Sequence, residues 1–147
     1  MPRIEVSTLL KNKAAEVYGL IKNMEAFPDF MRDVKSLKIV KALPDKIITA
    51  WEIEIEGAGI KWKEEDIFDE EKLELNFSAI EGDYKEYQGK WKVTPLPKAT
   101  KLSIEANFDW GIPVLEKYVG KTLEKRARLS LTGMLLAIKN KLEKQNV

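Results

Sequence analysis

Between Lys46 and Trp110 the sequence repeats one pattern five times: a short stretch, mostly alternating apolar and polar residues, and then a turn. A period of two sends successive side chains to opposite faces of a strand, so each stretch reads as a β-strand with one buried face. Trp51, Ile53 and Ile55 oppose Glu52, Glu54 and Glu56. Leu73, Leu75 and Phe77 oppose Glu74, Asn76 and Ser78. Tyr87, Gly89, Trp91 and Val93 oppose Gln88, Lys90, Lys92 and Thr94. Leu102, Ile104, Ala106, Phe108 and Trp110 oppose Lys101, Ser103, Glu105, Asn107 and Asp109. The turns fall at Gly57-Ala58-Gly59, Asp69-Glu70-Glu71, Gly82-Asp83 and Pro95-Leu96-Pro97. Links this short join antiparallel neighbours, because a parallel crossover needs a dozen or more residues.

Upstream, Arg3 to Leu10 reads as a strand. Asn12 is placed to cap a helix over Lys13 to Asn23, and Pro28 breaks that helix or opens a short second one. Val34 to Val40 is a further strand. Downstream, Pro113 opens a helix from Val114 to about Leu142, with Leu115, Val119, Leu123, Ala127, Met134 and Ile138 along one apolar stripe. The expected fold is α+β. A curved antiparallel sheet of about six to seven strands wraps a long C-terminal helix, with two short helices after the first strand. No linker divides the 147 residues, which are expected to form one domain over 1–147.

Composition removes much of enzyme chemistry. The chain has no His and no Cys. Catalytic triads with His, Cys nucleophiles, zinc and iron–sulfur sites and disulfides are therefore excluded, and any metal would need an all-oxygen shell. No metal and no cofactor are expected. With 25 Lys plus Arg against 24 Asp plus Glu, the net charge of +1 argues against nucleic acid as a partner. The acidic series Glu64 to Glu71 lacks the spacing of a calcium loop and reads as a solvated hairpin. Met1 to Val6 does not read as a signal peptide, and no apolar run is long enough to span a membrane. A soluble cytoplasmic protein, monomer or homodimer, with at most transient membrane contact is expected.

The strand from Ile60 to Phe68 breaks the pattern. If Lys61, Lys63 and Glu65 face solvent, then Trp62, Glu64, Asp66 and Phe68 face inward. Two carboxylates among aromatics demand partners, water or a raised pKa. A wet or ligand-filled interior accommodates them; alternatively, a bulge turns Glu64 or Asp66 back to solvent. Arg126, beside the helix stripe, either meets these carboxylates inside or extends to water.

Three strings carry a family resemblance. Ala15-Glu16-Val17-Tyr18 through Met24-Glu25-Ala26-Phe27-Pro28-Asp29-Phe30, Glu81-Gly82-Asp83-Tyr84 through Gly89-Lys90-Trp91, and Pro113 with the terminal helix occur in the order and spacing of the START-like, or SRPBCC, helix-grip superfamily. The chain most resembles its polyketide cyclase/dehydrase and coenzyme Q-binding branch. Two departures stand out. The family's Gly-Pro-aromatic turn reads Gly82-Asp83-Tyr84 here. Aromatase/cyclase relatives carry a Trp, a small hydroxyl residue and an Arg facing inward; here Trp62 matches, but Glu64 and Asp66 hold the polar positions.

The resemblance implies a deep cavity between sheet and helix that binds or carries a hydrophobic molecule such as a lipid, an isoprenoid quinone or a polyketide-like aromatic. Trp51, Trp62, Trp91, Phe108 and Met134 are the expected lining. Glu64, Asp66, Tyr84 and Tyr87 are the expected polar contacts, with Phe27, Phe30 and Trp110 at the mouth and Arg126 as an electrostatic aid. One alternative is a cyclase or dehydratase using Glu64 or Asp66 as acid or base. Another is a protein-interaction module, since some branch relatives associate with ribosomes.

Overall fold

The computed structural model describes the backbone of residues 3–55, 57–109 and 113–145, and their side chains outside 58, 113–123 and 145. Its elements run β1 (Arg3–Leu10), α1 (Ala14–Lys22), a 3-10 turn (Met24–Ala26), α2 (Phe27–Phe30), β2 (Val34–Ala42), β3 (Ile47–Ile55), β4 (Ala58–Asp69), β5 (Glu74–Gly82), β6 (Glu86–Pro95), β7 (Thr100–Asp109) and α3 (Pro113–Gln145). The seven strands form one antiparallel sheet in the order β1-β7-β6-β5-β4-β3-β2. Only β1 departs from sequence neighbours, pairing with β7. The sheet and long C-terminal helix expected from the alternation, and the helix-grip order that the resemblance implies, are the ones observed.

The inner face of the sheet and α3 enclose the core. Leu75, Trp91, Val93, Leu102, Ile104, Ala106 and Phe108 are buried at the spacing the pattern predicts. On α3, Leu131, Met134, Leu135, Ile138 and Leu142 make the buried stripe, which packs on β1, β3 and β7. The stripe residues Leu115, Val119 and Leu123 lie outside the described side chains, and Trp110 outside the described residues. No described helix is long and apolar enough to cross a membrane.

Three local readings are corrected. Asn12 does not cap α1: Lys13 holds the cap position, without a side-chain bond. Asn12 instead donates to the carbonyl of Leu142 near the end of α3 (3.3 Å), while its own carbonyl accepts from the Thr100 hydroxyl (2.6 Å). A carbonyl in the last turn of a helix lacks an intrahelical donor, and Asn12 supplies one. Leu73 is not a strand residue; it sits in the turn before β5 at φ +56°. Gly59 lies within β4, opposite Glu54, and Gly57 alone of the two glycines has a positive φ, +84°.

Candidate functional site

The site grows from one cross-strand register. Trp51 of β3 pairs directly with Trp62 of β4, and Thr49 with Glu64. Side chains opposite one another lie on the same face, so the indoles stack at 5.3 Å with planes 14° apart. A bulge does interrupt the neighbouring pairing, between Lys63 and Glu64. Its extra residue is Ile80 of β5, which is exposed, so the parity of β4 runs on unbroken. Glu64 is therefore 2% exposed and Asp66 0%. The inward reading of the sequence is the observed one.

The family's Gly-aromatic turn has a clear physical basis here. Gly82 ends β5 opposite Trp62 at φ +122°. A Cβ there would stand 2.5 Å from the Lys61 carbonyl oxygen and from Trp62 Cα. Only glycine tolerates both the conformation and the approach. Asp83, where relatives carry Pro, closes the turn on β4: its N–H donates to the Lys61 carbonyl (2.9 Å), and its carboxylate accepts the Lys61 N–H (2.8 Å). Proline has no N–H with which to make the first bond. The clamp is followed directly by the buried Tyr84. Tyr84 stacks on Tyr87 at 4.6 Å, and both meet Trp62 edge to face, at 5.4 and 5.3 Å.

Beside the indoles, further along the same face, lie the carboxyls. Trp62 Nε1 donates to Glu64 Oε1 (2.7 Å). Trp51 Nε1 donates to the Thr49 hydroxyl (2.9 Å), which donates to Asp66 Oδ2 (2.6 Å). Asp66 Oδ1 has no N–H or hydroxyl donor. Burial pushes the Glu64 carboxyl well above its ordinary value, and the neighbouring Asp66 pushes it further. Burial raises Asp66 too, opposed by hydrogen bonds from Glu64 and Thr49. Two like charges this close oppose each other's ionisation, so the pair holds its protons more tightly than free carboxyls do, Glu64 most of all. Desolvation likewise raises Tyr84 and Tyr87.

The interior beside these groups is small. A void of about 30 Å³ is lined by Trp51, Trp62, Tyr84, Tyr87, Phe108 and Met134, together with Ile53, Ile55, Ala106, Ala127, Ser130 and Leu131. Among the described residues, the rings expected to line a deep hollow pack on one another and leave only this small space between them. The void shares two of its wall residues with a neighbouring cavity. Ser130 and Met134 also border a cavity of about 210 Å³ against Met31, Arg32 and Asp33. Arg32 and Gly133 then border a groove of about 500 Å³ with Phe30, Leu136 and Ala137, open at the surface. A second groove, of about 470 Å³, crosses the outer face of β3–β5. Its Lys61 and Lys63 are paired with Glu52 (3.4 Å) and Glu81 (3.0 Å), and the buried carboxyls lie on the opposite face.

The other expected site residues scatter. Phe27 and Trp91 are fully packed core, 6.1 Å apart between ring centroids. Phe30 lines the surface groove, with the Lys141 ammonium 5.8 Å from its ring. Arg126 is exposed on α3 and is not part of the void's lining. Glu64 and Asp66 follow Trp62 along the inner face of β4 outside the void's lining; Glu64 is bonded to the Trp62 indole, and Asp66 reaches Trp51 only through Thr49. Sequence reading missed Thr49, the link between Trp51 and Asp66; its parity with Trp51 was the available signal. It also missed Ala127 and Ser130, whose small side chains leave the void open.

A curved sheet gripping a C-terminal helix over an aromatic interior defines a START-like domain. The chain belongs to the polyketide cyclase/dehydrase and lipid transport family, whose model matches residues 10–135. It is similar to the persistence and stress-resistance toxin PasT of Escherichia coli O6:H1 strain CFT073, at 24% identity over 86% of this chain and 80% of that protein. The ribosome association toxin RatA of Escherichia coli K12 is 22% identical over the same shares. Among solved structures, TTHA0849 from Thermus thermophilus superposes with a TM-score of 0.92 at 22% identity, covering 99% of this chain and 100% of that one. The Zhui aromatase/cyclase from Streptomyces sp. R1128 gives 0.86 at 11% identity, over 99% and 96%.

Proposed function

We propose that the protein reversibly binds a hydrophobic or amphipathic small molecule between the sheet and α3. The carrying observation is the series of spaces from the aromatic void, past Ser130 and Met134, to the surface groove. Met134 is the movable wall: an unbranched thioether repacks at little cost. A guest places its polar end in the void and displaces Met134 to run its apolar body toward Gly133 and Leu136. Apolar surface transferred from water supplies roughly 25 cal/mol per Å² before association costs. The lipid transport of the family's description accords with this reading.

The test is organic extraction of the purified protein followed by mass spectrometry. A stoichiometric lipid, quinone or polyketide-like aromatic supports the proposal. An empty extract, together with no uptake of decan-1-ol by the purified protein, contradicts it. Turnover of the recovered molecule, lost in Glu64→Gln with affinity kept, would mark the protein as a cyclase or dehydratase instead.

A second reading is association with the ribosome. The smallness of the void favours it, as does the name of the similar ribosome association toxin RatA. In that case the protein co-sediments with ribosomes, and Trp62→Ala leaves co-sedimentation intact provided the fold survives.

A further inference from the structure

We propose that the surface groove between α2 and α3 is an anion site, in which Arg32, Lys141 and Lys144 hold a carboxylate or phosphate at the outer end of the guest, over an apolar floor of Phe30, Leu136 and Ala137. This rests on the ligand-binding reading above and names the chemistry of the guest's second end.

The walls of the groove carry one sign of charge. Arg32, Lys141 and Lys144 line it, and no Asp or Glu does. Asp33 borders the inner cavity instead, with Ser130 and Met134. On the sheet, Lys46, Lys61, Lys63, Lys90 and Lys92 each have a carboxylate partner. Among the described residues Arg32 and Lys144 have none, and Lys141 has only the Phe30 ring, 5.8 Å from its ammonium. Cations without counter-ions around one concavity focus a positive field, which draws an anion and repels a second cation.

The floor decides the kind of anion. Leu136 lines the groove and is 46% exposed. Gly133 keeps the floor open, since a Cβ there would meet nothing within 4 Å. A small inorganic ion would leave this apolar surface in water, whereas an amphiphile covers it while its acid meets the cations. The groove also shares Arg32 and Gly133 with the inner cavity, through which the body of the guest runs. Lys141 lies two helical turns beyond Met134 on α3, about 11 Å along the axis and within the span of a ten-carbon chain. A guest with its polar head in the void therefore brings its other end to these cations. An acid there gains ion pairs, and an ammonium group meets like charges.

The experiment titrates the intact protein with decan-1-ol, 10-hydroxydecanoate, 10-hydroxydecyl phosphate and 10-aminodecan-1-ol, at neutral pH and low ionic strength, following tryptophan fluorescence. The four share one chain and one hydroxyl head and differ only at the far end. At least one of the two acids is expected to bind about tenfold more tightly than decan-1-ol, the combined effect of several partly exposed ion pairs, and the tighter of the two names the oxyanion. The amine is expected to bind most weakly. The acid-to-alcohol affinity ratio falls toward one in about 1 M salt, which screens exposed charges. It falls likewise in the triple variant Arg32→Gln, Lys141→Gln, Lys144→Gln, whose three positions are exposed, so that the fold is kept. Acids that bind no tighter than the alcohol overturn the inference and leave the ligand-binding reading standing, as does a ratio that the triple variant leaves unchanged. Binding of none of the four overturns both.

Discussion

Two carboxyls in an apolar interior make the folded chain sensitive to pH. Near the acid end, Glu64 is protonated in both the folded and unfolded chains. As pH rises past its ordinary 4.5, the unfolded chain releases that proton and the folded chain keeps it. Stability then falls with pH until the folded group ionises, by about 1.4 kcal/mol for every tenfold difference in proton affinity. Asp66, also raised, acts in the same direction. Urea denaturation is expected to give a larger unfolding free energy at pH 5 than at pH 8. Glu64→Gln, whose amide both donates and accepts as the protonated acid does, is expected to flatten that slope and to be the more stable protein at pH 8 by about 1 kcal/mol or more. A wild-type stability that rises from pH 5 to pH 8 would contradict the raised proton affinity of this pair.

A second residue prediction concerns backbone strain. Gly82→Ala places a methyl 2.5 Å from main-chain atoms that no side-chain rotation can move, at φ +122°. A loss of about 3 kcal/mol is expected in the same denaturation assay, combining clash and conformation. Gly57→Ala also has a positive φ, +84°, but open space around it, and should cost less.

At the scale of elements, the hairpins were readable because a strand's period is local: ten residues suffice to show which face is apolar. The inward aim of Glu64 and Asp66 was readable for the same reason, once Lys61, Lys63 and Glu65 were set outside. The bulge was not, since Ile80 looks like any other strand residue until its partner's register is known. Nor was the Asp83 clamp, which depends on two main-chain groups of Lys61 across the sheet. The size of the void was illegible in principle. It is a small difference between ring volumes from five separated segments, and no local pattern encodes it. Asn12 was misread because its residue type suits a cap, while its amide donates to the Leu142 carbonyl and the Glu16 carboxylate (3.5 Å) instead of accepting an α1 main-chain N–H, and its main-chain carbonyl accepts from Thr100 of β7. Asn12→Ala is therefore expected to destabilise by about 1–2 kcal/mol through the loss of the Leu142 bond. Hydrogen exchange should quicken in the last turn of α3, whereas a capping role would loosen α1 instead.

For the whole molecule, the fold sets a rigid sheet against a helix whose described half is tied at Glu5 and Asn12, by Arg128 and the Leu142 carbonyl. On the ligand-binding reading, opening is a matter of side chains at the helix–sheet seam, with Met134 in the wall that the void shares with the next cavity. The measurement that bears most directly on this account is calorimetric titration of decan-1-ol into the wild-type protein and into Met134→Trp. The bulky ring is expected to block the way between void and groove. The account requires saturable, near-stoichiometric binding by the wild-type protein and its loss in the folded variant. No binding by the wild-type protein, or unchanged affinity in Met134→Trp, would contradict it.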